Sequence, residues 1–226
     1  MGTALGSILP LAIGVALSPL PIIAVILMLF SKKARSTSVG FLIGWFLGVL
    51  ISATIIVFTA NPAEQATGGD ESPLYIVVHL LLGVFLLFIA YRDWKKRPKP
   101  GEQVEMPKWM QGIDNLTAGK ALMMGALLSG LNPKNLAFTI SAGVIIASAG
   151  LDTTQAIAVI LVYTLLACIT VAAPVVIYFV MGDKATPTLT SWREWLTYHN
   201  AAVMTVLFIV FGFMVLGKGI GALIGG

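Results

Sequence analysis

Residues 127–137 read LSGLNPKNLAF. They set Lys134 among Asn132, Pro133 and Asn135, inside a run otherwise apolar enough to cross a membrane. A lysine in hydrocarbon costs about 2.5–3.5 kcal/mol on insertion scales, and a proline inside a helix costs about 3 kcal/mol more. Residue types this costly call for a chemical reason. Asn132-Pro133 has the form of a helix N-cap followed by proline at the first helical position; Ser18-Pro19, with Pro21 just beyond, has the same form in the first run. A helix that begins in mid-run presents unpaired N–H groups and the positive end of its dipole. Lys134 falls in the first turn of such a helix, so its charge adds to the dipole, and all 10 acidic residues lie in loops or at the ends of runs. An embedded lysine must then be deprotonated, reach water along its stem, or meet an anion. Lys134, Asn132, Asn135, Ser18 and Ser129 are therefore the expected substrate-binding residues, an electropositive cradle for an anionic or polyhydroxylated head group. The alternative is a structural lysine that bonds carbonyls freed by the break.

The elements that must hold these residues are hydrophobic. Of 226 residues, 58% are hydrophobic and 11% charged, where a soluble domain carries about 25% charge. Six spans are expected, at about Leu5–Phe30, Val39–Ala60, Leu74–Tyr91, Ala118–Ala149, Thr154–Met181 and Ala201–Leu223. The first is read as a span and not a cleaved signal peptide, because it lacks a basic leader and an A-x-A-like site. The fourth, at roughly 30 residues, would make about 45 Å of straight helix against about 30 Å of hydrocarbon. A break at Pro133, with Gly130 ending the preceding half-helix, relieves the excess; a simple proline kink is the alternative.

GVALSPLPIIAV can be laid over GALLSGLNPKNL: Gly14, Leu17, Ser18 and Leu20 match Gly125, Leu128, Ser129 and Leu131, each 111 residues on. A three-span unit repeated once must enter the membrane from the opposite side the second time. The expected fold is an all-α polytopic membrane protein of six transmembrane helices in two inverted three-helix repeats, with helices 1 and 4 broken or kinked at proline. Residues 1–92 make the first repeat, 93–118 a basic cytoplasmic loop with an interfacial amphipathic helix, and 119–226 the second repeat.

Loop charges alternate. Lys32, Lys33 and Arg35 occupy the first loop; Glu64, Asp70 and Glu71 the second; RDWKKRPKP opens the third; Asp152 stands in the fourth; Lys184 and Arg193 accompany Asp183 and Glu194 in the fifth. The positive-inside rule puts the odd loops in the cytoplasm and both termini outside, with Lys218 in minor dissent. The basic cluster of the third loop is an orientation signal or a contact for anionic lipid head groups. Met106, Trp109, Met110 and Ile113 fall on one face of a short helix lying in the interface, and Trp192, Trp195 and Tyr198 are interfacial aromatics. Gly40, Gly44 and Gly48, and again Gly217, Gly221 and Gly225, are spaced by four, which lets helix backbones approach closely. Intramolecular packing is the expected use; a homodimer face is the alternative.

Several functions are excluded by what is missing. A carrier of Mn, Cd or Ca needs hard oxygen ligands within the spans, and a cationic amino-acid exporter needs a carboxylate for its substrate. The lone Cys168 permits no disulfide pair and no thiol relay. No H-E-x-x-H and no G-x-x-x-x-G-K-[ST] is present, and no nucleophile–base pair is readable. His79 reads as interfacial, with a coupling-proton site as the minority reading. No enzyme activity, cofactor, metal or nucleic-acid partner is expected.

The segments ALSPLPIIAVILMLFSKKARSTSVGFLIGWFLG, PKWMQGIDNLTAGKALMMGALLSGLNPKNLAF and WLTYHNAAVMTVLFIVFGFMVLGKGI resemble the GAP family, the glycolipid- or sulfolipid-addressing proteins of the lysine-exporter superfamily. The resemblance covers nearly the whole chain. It implies a bacterial inner-membrane transporter of six spans and a link to the export of envelope glycolipids or related amphiphiles. The family's two proline motifs map to Ser18, Pro19 and Pro21 and to Asn132, Pro133, Lys134 and Asn135. The lysine-exporter branch has PGP in span one; here the triplet is Pro19-Leu20-Pro21, a departure that argues against simple amino-acid export. The expected function is a secondary exporter or flippase-like carrier of an amphiphile with an anionic or sugar head group, working by alternating access among membrane lipids. A small-solute exporter of the same fold, or a non-transporting accessory subunit of a lipid-export machine, are the alternatives.

Overall fold

The computed structural model describes residues 1–60, 73–99, 102 and 108–225. The expectations placed on Glu64, Asp70, Glu71 and Met106 lie outside them. Every regular element among the described residues is helical. The chain forms two compact units, residues 1–60 with 105–197 and residues 61–104 with 198–226, so each unit draws on both halves of the sequence.

In the first unit, α1 (Gly2–Ala16) ends two residues before α2 (Pro19–Leu29) begins, and the two are bent by 54°. Helix α1 turns Ala4, Ile8, Leu11, Ala12 and Val15 inward at helical spacing and leaves Leu9 and Ile13 outward. Helix α3 (Ala34–Thr59) divides its residues as sharply. Phe41, Trp45, Val49, Ala53 and Val57 are buried, while Val39, Ile43, Leu47, Ile51, Ile55 and Phe58 form a continuous exposed apolar stripe. Such a stripe is tolerable in hydrocarbon and costly in water.

The next helix, α4 (Pro73–Lys95), belongs to the second unit. A 3-10 helix at Lys108–Asn115 returns the chain to the first unit. It buries Met110 and Ile113, three residues apart as that helix requires, and rests on α2. Part of the expected interfacial face is therefore turned onto the protein rather than onto lipid. The run expected as a single fourth span is two helices, α5 (Ala118–Gly130) and α6 (Pro133–Ala147). After a turn through Gly150, whose φ of +62° suits a residue without a Cβ, Asp152 caps α7 (Thr153–Met181) by accepting from Gln155 N–H at 2.9 Å. A short 3-10 turn, Gly182–Ala185, leads into α8 (Thr186–Gly225), whose first turns belong to the first unit and whose remainder belongs to the second.

Helix α3 and α5 lie backbone to backbone. A Cβ on Gly40 would come within 2.6 Å of the Ala118 carbonyl oxygen; one on Gly44 would strike the Leu122 carbonyl, and one on Gly48 would strike Ser129 Oγ. Gly125 answers from α5 against the Phe41 carbonyl. The first glycine stripe is thus an intramolecular seam. Gly217 and Gly221 meet nothing within 4 Å. In the second unit the contact is made by other residues of α8: Gly212 against Leu87, Leu216 against Gly83, and Gly219 against His79 and Leu80.

Two helical stretches, Ala34–Thr59 and Thr153–Ile224, are long and apolar enough to cross a membrane, with mean hydropathies of 2.5 and 2.6, and the bent pair α1–α2 makes a third if taken as one span. The molecule is an all-helical membrane protein.

Candidate functional site

The site is built where α1 stops. In a continuous helix the N–H groups of residues 18–21 would bond the carbonyls of Gly14, Val15, Ala16 and Leu17. Pro19 and Pro21 have no N–H to give, and Ser18 N–H turns back to the Ala16 carbonyl at 2.8 Å. Gly14, Val15 and Leu17 carbonyls are left to find partners, in a setting where water is scarce.

They find side chains. Lys134 Nζ donates to the Gly14 carbonyl at 3.0 Å and to the Leu17 carbonyl at 3.1 Å. Its third hydrogen goes to Ser18 Oγ at 2.7 Å. Ser18 Oγ donates to the Val15 carbonyl at 2.8 Å, with Asn135 Oδ1 at 3.4 Å as a second acceptor. Thr170 Oγ1, from α7, donates to the Ala16 carbonyl at 2.5 Å. Lys134 therefore bonds carbonyls freed by a break, as in the alternative given for it above; they belong to the first break and not to its own, and the negative C-terminal end of α1 is its counter-charge. Ser18 occupies the N-cap position of α2, yet its side chain caps nothing there and closes α1 instead.

The second break is closed by its own residues. Asn132 Oδ1 accepts from Lys134 N–H at 3.0 Å, the capping bond expected of it. Asn135 Nδ2 donates to the Leu128 carbonyl at 3.1 Å, taking the place of the N–H that leaves the helix at Asn132. The two breaks stand 114 residues apart at both edges, Ala16 to Gly130 and Pro19 to Pro133. The sequence match runs at 111, so it is three residues out of register with the breaks on both sides, and Ser129 is not the structural counterpart of Ser18.

From Asn135 the hydrogen bonds continue inward. Thr139 Oγ1 donates to the Asn135 carbonyl at 2.8 Å and lies 3.1 Å from Tyr163 Oη of α7. Ser18, Asn135, Thr139 and Tyr163 are buried. Lys134 and Asn132 are half-buried, and Leu17 and Leu131 beside them are exposed, so the cluster has one open side. Ser129 stands apart from these bonds; its hydroxyl donates to the Ala126 carbonyl at 3.2 Å, against Gly48 of α3. Gly130 lies under the Gly48 carbonyl, 3.1 Å from where a Cβ would be. Thr139, Tyr163 and Thr170 went unread in the sequence because a lone hydroxyl in an apolar helix carries no local pattern. The one usable signal was spacing, since Thr139 follows Asn135 by a helical turn.

Trp45 is fully buried and donates from Nε1 to the Ala167 carbonyl at 3.2 Å, which ties α3 to α7 behind the cluster. Among the described residues no group of His, Cys, Asp or Glu is placed to hold a metal ion.

The model of one protein family, described as Sap, sulfolipid-1-addressing protein, matches residues 8–221. No curated protein matches the chain, and no solved structure does.

Proposed function

The chain belongs to the sulfolipid-1-addressing protein family, and from that premise we propose that it exports or flips an envelope amphiphile whose anionic head group passes the Lys134 cluster. The observation that carries the reading is the half-buried ammonium of Lys134 at the junction of two helix breaks, answered by two carbonyls, the Ser18 hydroxyl and the Phe138 ring, whose centre lies 5.9 Å from Nζ, and by no carboxylate among these contacts. A helix end supplies roughly half a charge, so the junction keeps a positive excess. A sulfolipid carries a permanently ionised sulfo group, which suits such a site better than a cation or a neutral solute does. The exposed apolar side chains beside the open face, Leu17 and Leu131, leave a lipid tail in hydrocarbon while its head is held.

In this reading the fold is the lysine-exporter type, six spans in two inverted triplets, and alternating access loosens one broken helix from the other. An incoming anion competes with the Gly14 and Leu17 carbonyls for Lys134. Its arrival thus releases the end of α1, and its departure restores the bonds. The protein sits in the bacterial inner membrane with both termini outside, acts without a cofactor, and draws its energy from a gradient or a partner.

The fact that all three ammonium hydrogens are already used supports a second reading, in which Lys134 is a brace and the protein an accessory subunit of a lipid-export machine. Transport of a fluorescent anionic amphiphile across proteoliposomes separates the two. Lys134→Gln, which fills similar space without charge, is expected to insert normally and to lose transport. Transport at the wild-type rate by that variant overturns the cargo role.

A further inference from the structure

The basic cluster after α4 has a use in the second unit that orientation does not require. Residues 92–99 contain Arg92, Lys95, Lys96, Arg97 and Lys99 against the single acid Asp93, a local charge of +4 that equals the formal net charge of the chain. Asp93 is engaged by its neighbour Arg92 at 3.7 Å. Beside this cluster, a groove of about 440 Å³ runs between α4 and α8. Ala90 and Thr205 are its buried floor, Leu87, Val206 and Ile209 line it, and Tyr91 and Trp94 form the rim. Thr205 Oγ1 is satisfied by the Ala201 carbonyl at 2.8 Å, so it adds little polarity to the groove. The charges and the groove meet on the same two rings. Lys95 Nζ stands 4.8 Å from the centre of the Tyr91 ring, and Arg97 Cζ stands 3.9 Å from the centre of the Trp94 ring. Arg97 Nη1 is further fixed by donating to the Trp94 carbonyl at 2.9 Å.

We infer that this groove is a binding site for an anionic glycerophospholipid of the surrounding membrane. One acyl chain lies over Ala90 between Leu87 and Ile209, and the phosphate is held by Lys95 and Arg97. The chemistry is complementary along its length. An apolar slot ends at two amphipathic rings of the type that settles at head-group depth, and each ring carries a cation of the sign an anionic leaflet attracts. A zwitterionic lipid could fill the slot but would lose the net attraction at the rim. An orientation signal needs only the charges; it needs neither the slot nor the fixed guanidinium. The site is separate from Lys134 and does not depend on that residue's role.

The test is native mass spectrometry of the full-length protein, gently extracted and offered phosphatidylglycerol and phosphatidylcholine in equal amounts. Wild type is expected to retain phosphatidylglycerol preferentially. The K95Q/R97Q double variant changes two exposed side chains and keeps Arg92, Lys96 and Lys99 for orientation; its preference is expected to fall roughly 30-fold. Ala90→Leu, which fills the floor, is expected to lower retention of both lipids. Equal retention of the two lipids by wild type overturns the site, as does an unchanged preference in the double variant. Loss of the preference in Lys134→Gln, with Lys95 and Arg97 intact, would also overturn it, by moving the anionic lipid to the helix breaks.

Discussion

Lys134 gives all three of its N–H bonds to the end of α1 and Ser18, two of them to carbonyls left open by the break, Leu17 by the missing N–H of Pro21 and Gly14 by the turning back of Ser18 N–H. Its charge and its shape can be separated by substitution. Lys134→Met keeps the stem and removes every donor, which leaves the Gly14 and Leu17 carbonyls unpaired at about 1–3 kcal/mol each. It is expected to lower the thermal midpoint of the purified protein, where Lys134→Gln, able to reach one carbonyl, lowers it less. Lys134→Arg keeps charge but spreads its donors in a plane; transport is expected to fall between wild type and Lys134→Gln. A ranking by stability of Arg, Gln, Met with a parallel ranking by transport would mark the lysine as a brace alone. Transport lost fully in Gln, with stability largely kept, marks the charge itself as the working part. Asn135 serves both breaks, through Leu128 and toward Ser18. Asn135→Ala strands the Leu128 carbonyl and is expected to destabilise by about 1–3 kcal/mol, read in the same melting experiment.

At the scale of helices, the seam between α3 and α5 is set by glycine and admits no side chain. Gly44→Ala would press a methyl group into the Leu122 carbonyl, and overpacking of this kind costs about 1–3 kcal/mol; reduced yield of folded protein after extraction is the expected sign. Gly217→Ala, facing open space, should be silent in the same assay. The stripe at Gly40, Gly44 and Gly48 was legible in the sequence because spacing by four is a property of one helix. Its partner was not, since nothing in α3 says that Gly125 will answer from α5. The second stripe shows the limit of the pattern: Gly212 and Gly219, seven apart, carry the packing on α4, while the more regularly spaced Gly217 and Gly221 face open space. Both helix breaks were legible from Ser18-Pro19 and Asn132-Pro133, because proline acts locally. The coupling of the breaks was not, for it depends on a lysine reaching 120 residues back along the chain to Gly14. Pro133→Ala restores an N–H aimed at the Ser129 carbonyl and lets α5 run on toward α6. It is expected to insert and fold, and to slow transport in the proteoliposome assay by removing the hinge.

At the scale of the whole molecule, Arg35 of the first loop and Arg193 of the fifth, both in the first unit, stand over rings at the far ends of other helices. Arg35 Cζ lies 5.8 Å from the Phe179 ring centre, and Arg193 Cζ lies 5.7 Å from that of Phe30, so the end of α2 and the end of α7 share one pole. Shared polarity of the first and fifth loops is what an even number of crossings between them demands, and the proposed six spans would supply four. The arrangement is tested by labelling single cysteines from either side of intact cells. Cys168 is buried and alone, so Cys168→Ser gives a blank background at the loss of a small apolar contact. Against it, Ser36→Cys and Thr190→Cys are expected to react only after the inner face is opened, and Asp152→Asn with Thr153→Cys to react from outside. Gly2→Cys, near the N-terminus, should react from outside as well. Reaction of Ser36→Cys and Thr190→Cys on opposite faces would break the six-span scheme, whatever the outcome for Lys134. Reaction on the same face, with Gly2→Cys on the other, requires the first span to cross despite its 54° bend. That places the junction of α1 and α2, and with it the Lys134 ammonium, between the two faces of the membrane rather than at either one.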